Sequence, residues 1–155
     1  MLESVAGFFL NFSHDSVIIP VVILGYISLD RKTFSSAIKL TLLSMLFGCA
    51  LKITFQIPLA PSTGLKGFAF PSGHMQSSVV LYGYLIKHTR STIFKSLMSC
   101  LLIAIGLSLV YCGYHDYIDV LGGVFFAAIL IFSYESLRIK KENTLKWALF
   151  FFASF

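Results

Sequence analysis

Residues 96–119 read SLMSCLLIAIGLSLVYCGYHDYID. The first nineteen, Ser96 to Tyr114, carry no charge and are mostly apolar. That is close to the roughly 20 residues a helix needs to cross the hydrocarbon core at 1.5 Å per residue. The run stops at His115 and Asp116, and a new apolar run opens at Tyr117 and continues to Leu137. The stretch therefore reads as two membrane helices joined by a short polar turn. His115 and Asp119 are four residues apart, so on a helix they share one face and can hydrogen-bond.

The same pattern extends towards both ends. Ser16–Leu29 is an apolar run that extends back through Val5–Phe12, interrupted by Asn11, Ser13, His14 and Asp15. Thr33–Pro58 is a second run, and Ser72–Ile86 is a shorter third that can continue past Lys87 if that side chain snorkels. Trp147–Phe155 is apolar but too short to span, either an interfacial anchor or the start of a sixth helix. The expected fold is all-α, a polytopic membrane helical bundle of about five to six transmembrane helices, forming one integral membrane domain over residues 1–155.

Composition agrees. Apolar residues make up 57% of the chain and the mean hydropathy is +0.84, above the roughly 45–50% apolar share of soluble domains. Cys49, Cys100 and Cys112 lie in or at the ends of apolar runs, with neither metal-type spacing nor a secreted disulfide framework, and are expected to be small buried packing residues. The N-terminus lacks a basic region followed by a small-residue cleavage site, so the first spanning helix is expected to direct insertion.

The net charge of +5 is informative through its placement. The breaks Asp30–Lys32, Lys87–Lys95 and Arg138–Lys146, with Lys39, hold ten of the twelve Lys and Arg residues. The intervening breaks, Pro58–Pro71 and Tyr114–Asp116, hold only Lys66, with Lys52 approaching from the second run. The two kinds of break alternate as successive spans change sides, so the positive-inside rule puts the basic ones in the cytoplasm. Lys52, Lys66, Ser72, His74, His115 and Asp119 then share the opposite face.

At that face stands a second histidine stretch, Phe70-Pro71-Ser72-Gly73-His74. Proline suits a helix start, serine caps it, and glycine admits a close approach of the backbone. A helix N-terminus offers free N–H groups and a positive dipole end, both suited to phosphate. Asp119, costly near a membrane helix unless partnered, finds its partner in His115. The carboxylate sets the imidazole tautomer and leaves the other nitrogen to attack phosphorus. His14 and His88 read as uninvolved; His14 at most has a peripheral place at the site entrance.

These pieces resemble the type 2 phosphatidic acid phosphatase superfamily, which includes the vanadium haloperoxidases. The family's second motif, Pro-Ser-Gly-His, is intact at Pro71–His74. Its third motif, Ser-Arg, five residues, His, three residues, Asp, matches Ser108 to Asp119 in spacing, with Leu109 where the arginine belongs. Its first motif, Lys, six residues, Arg-Pro, begins at Lys52, but the proline comes early at Pro58 and the arginine is absent. The resemblance covers Lys52–Asp119.

The resemblance implies that His115 is the nucleophile, that Asp119 orients it, and that His74 protonates the leaving oxygen and then activates water. Ser72, Gly73 and Lys52 would hold the phosphate oxygens. It implies no metal and no other cofactor. Leucine supplies none of arginine's bidentate contacts, and one lost oxyanion donor typically costs about 2.7–4 kcal/mol of barrier. Lys66, in the Gly64–Gly67 loop, is the expected compensator, with Tyr111, Tyr114 and Gln56 as further donors. The expected activity is a lipid phosphate or pyrophosphate phosphatase in a bacterial cytoplasmic (inner) membrane with its site facing outside. Its partners are its lipid substrate and membrane lipids, not nucleic acid. A lipid phosphotransferase using the same residues and a catalytically impaired phosphate-binding member are the alternatives. The sequence leaves the oligomeric state open.

Overall fold

The computed structural model describes residues 2–59 and 67–153, with only the helical backbone described from residue 141 onward. The chain runs through α1 (Leu2–Asn11), α2 (Asp15–Ser28), α3 (Arg31–Phe55), α4 (Gly73–Ser78), a π-helical turn (Val79–Gly83), α5 (Tyr84–His88), α6 (Thr92–Tyr111) and α7 (Tyr117–Ala153). Among the described residues, three segments are long and apolar enough to cross a membrane: α3, α6 and Tyr117–Lys140 of α7. The α1–α2 pair, bent by 46°, makes a fourth if taken as one span. The protein is thus an all-α membrane bundle, as expected.

The third apolar run becomes a short central rod, residues 73–88, in which α4, the π turn and α5 follow without a break. Val80, Leu81, Tyr82, Tyr84 and Leu85 are buried in it. Ala37 and Leu40 of α3, Ile105 and Leu109 of α6, and Ala127, Leu130 and Ile131 of α7 belong to the same core. Lipid tails are as apolar as these side chains, so association rests on close packing and internal hydrogen bonds. Gly48 of α3 faces the Gln76 amide, and Gly106 of α6 faces Met75 and Val120.

Local chemistry sets the helix ends. The Asp30 carboxylate caps α3, accepting from the backbone of Lys32 (3.1 Å) and Thr33 (3.2 Å). Ser91 caps α6 by accepting from the Phe94 backbone at 3.3 Å. Helix α6 ends in a Schellman turn. Gly113 has φ +71°, its N–H reaches the Val110 carbonyl (3.0 Å), and the Tyr114 N–H reaches that of Leu109 (3.1 Å).

Three sequence expectations change. Lys87 is part of a charge cluster: its Nζ lies 3.8 Å from the buried Glu135, which also meets His88 Nε2 at 3.4 Å and Arg138 Nη1 at 3.6 Å. The segment from Trp147 onward is no separate helix, since α7 continues unbroken through the basic stretch to Ala153. Cys49 and Cys100 are exposed, because they sit on the outward faces of α3 and α6, where a thiol is apolar enough to meet lipid.

Candidate active site

Asp119 occupies the first turn of α7. Its Oδ2 accepts from the Asp116 backbone N–H (3.2 Å) and lies 3.3 Å from His115 Nδ1. One carboxylate therefore closes the helix start and orients the imidazole. Both residues are buried. Burial pushes the His115 pKa below the usual imidazole value, and Asp119 offsets part of that shift by hydrogen bond and charge. Burial therefore favours the neutral imidazole, with Nδ1 engaged by Asp119 and the lone pair left on Nε2.

Ser72 is the N-cap of α4, and its Oγ accepts from the Met75 backbone at 3.4 Å. Pro71 falls two residues before the first helical position, Gly73, and just ahead of the cap. The Ser72 backbone N–H donates to the Asp119 carbonyl at 3.0 Å, joining the two histidine stretches through the main chain. Glycine makes this approach possible. A Cβ on Gly123 would lie 2.8 Å from the Ser72 carbonyl oxygen, and one on Gly122 would lie 2.3 Å from the Phe70 ring. The sequence reading passed over this glycine pair; two consecutive glycines inside an apolar helix were its available signal. Gln76, fully buried, donates to the Ser44 carbonyl (3.1 Å) and hydroxyl (3.2 Å), binding α4 to the helix that carries Lys52.

These elements enclose a cavity of about 520 Å³. Lys52, His74 and His115 line it together, as expected. Gly73 lies beside it, and a Cβ there would sit 4.0 Å from Lys52 Cε. Ser72 and Asp119 stand behind the wall, so the Ser72 hydroxyl belongs to the helix cap. Leu109 forms part of the lining at the position of the missing arginine. Of the further donors named from sequence, Tyr114 lines the cavity, whereas Tyr111 faces an apolar groove against α1 and Gln56 is the exposed C-cap of α3. Lys66 lies outside the described residues. His14 also lines the cavity. The 46° bend between α1 and α2 carries it there.

The model of the PAP2 superfamily matches residues 32–143. The chain belongs to the PAP2 superfamily. This PAP2 chain is similar in fold to the crystal structure of LpxE from Aquifex aeolicus, with a TM-score of 0.74 and 20% identity over 87% of this chain and 86% of that one. It is also similar to the first transmembrane PAP2-type phosphatidylglycerolphosphate phosphatase from Bacillus subtilis, with a TM-score of 0.71 and 21% identity over 90% of this chain and 77% of that one. A comparison with curated proteins found no match. Membership makes this PAP2 protein a phosphoric ester hydrolase of the membrane.

Proposed function

We propose that the protein is a lipid phosphate or pyrophosphate phosphatase acting through a phosphohistidine on His115. The observation that carries this reading is the His115–Asp119 pair, 3.3 Å apart, in a cavity shared with His74 and Lys52. His115 Nε2 attacks phosphorus, and the bond to the leaving oxygen breaks as His74 donates a proton to that oxygen. Water then attacks the phosphohistidine, His74 takes its proton, and the P–N bond breaks to release phosphate. Lys52 neutralises phosphate charge, and the α4 N-terminus at Gly73 offers backbone N–H groups. The solved relatives include a phosphatidylglycerolphosphate phosphatase, which supports a lipid substrate.

The whole chain acts as one domain in this reading. The basic stretches face the cytoplasm of a bacterial inner membrane and the cavity faces outside. Detergent-purified protein should release phosphate from phosphatidic acid or phosphatidylglycerol phosphate without added metal. His115→Ala should reduce release by roughly 10⁴-fold or more. Undiminished release from that variant removes His115 as nucleophile. Leu109 in the cavity wall favours a second reading, a phosphate-binding member with little turnover. Phosphate binding without release by the unaltered protein would select it.

A further inference from the structure

His14 stands at the corner between α1 and α2. It precedes α2 in an extended conformation, with no cap bond from its imidazole. Its carbonyl does the capping, accepting from Val17 and Ile18, both at 3.0 Å. The corner that bears it is nevertheless tied down. Ser13 Oγ donates to the Leu10 carbonyl at 2.7 Å, and Tyr82 Oη donates to the Phe12 carbonyl at 2.8 Å. Tyr82 belongs to the rod that carries His74 in its first turn, so this bond fixes one histidine relative to the other.

The result is a 5.2 Å edge-on contact between the His14 and His74 rings. His14, His74, His115 and Lys52 all line the cavity, and no carboxylate is among its lining side chains. Three imidazoles and an ammonium in one recess repel each other when protonated, and an anion among them relieves that repulsion. We propose that His14 is a phosphate-binding residue of this site, gripping the substrate's phosphate alongside Lys52.

The inference rests on the phosphatase reading for the phosphate's identity, not for the geometry. A guanidinium is charged at every working pH, so arginine at position 14 should hold phosphate at least as well as histidine does. Among the described residues, the charged and titratable groups around His14 are Asp15 beside it, His74 on α4, Lys52 on α3, and Tyr114 and His115 in the turn before α7.

The test is equilibrium binding of orthophosphate to the full-length protein in detergent, with His14→Ala and His14→Arg compared at pH 6. His14→Ala should bind about tenfold more weakly than the unaltered chain. His14→Arg should bind at least as tightly as the unaltered chain. Equal affinities for His14→Ala and the unaltered chain, loss of binding in His14→Arg, or no orthophosphate binding by the unaltered chain would each overturn the proposal. A loss of kcat with unchanged binding would also overturn it, since His14 would then act through His74. His115→Ala separates the two readings: turnover that survives it removes the nucleophile, while the His14 ratios still report on the grip.

Discussion

At the scale of single residues, Asp119 serves local structure and chemistry with one oxygen. The pair it forms with His115 was legible from a spacing of four residues, because helix geometry is local. Ser72 was legible as a cap for the same reason, and its Oγ accepts from the Met75 backbone. His14 was read as peripheral because nothing in its neighbourhood along the chain points at His74; only the bend between α1 and α2 brings them together. The lowered His115 pKa gives a sign to the pH profile. An imidazolium has no lone pair for phosphorus, so kcat/KM should fall as pH drops through the His115 pKa. The acid limb should lie below the ordinary imidazole value of about 6.5. A His115 imidazole that NMR shows titrating above about 6.5 would contradict a neutral His115 nucleophile.

Among the elements, the contact between α4 and α7 matters most for the site. Apolar runs and charged breaks located the helices to within a few residues, except at the end of α7, which runs on through the basic stretch to Ala153. They did not reveal which helix is central, because every run is apolar and burial depends on partners distant in sequence. The glycine pair on α7 and Gln76 on α4 settle that arrangement. Glu135 escaped notice for a related reason: an acidic residue inside an apolar run has no local partner, and Lys87, His88 and Arg138 reach it only in the folded bundle. Gly123→Ala should be costly. Its methyl would press on backbone, not on a side chain that can turn away. Overpacking of this kind costs about 1–3 kcal/mol, which should appear as a lower unfolding midpoint in detergent and a lower kcat. An unchanged midpoint would mean that α4 and α7 can part without loss.

For the molecule as a whole, orientation is the property carried by charge and not by packing. The basic stretches lie at the ends of α3, the rod and α7 opposite to those that carry Lys52, His74 and His115, and the proposed topology puts them in the cytoplasm. A single cysteine placed at residue 62, between α3 and α4, should react with an impermeant thiol reagent added outside intact cells. Cys49 and Cys100 are exposed on the helices, so all three native cysteines must first be replaced. Labelling only after the cells are opened would invert the assigned topology.

The Ser72–Asp119 link is made by main-chain atoms, so among side-chain exchanges at either position only proline at 72, which lacks the N–H, can delete it. A wedge such as a residue larger than glycine at position 123 can pry it open. The alignment of His74 with His115 is therefore insulated from drift in the surrounding side chains. A lineage can lose the arginines of its phosphate grip and still keep both histidines in register, which leaves time for another cation to take over the grip.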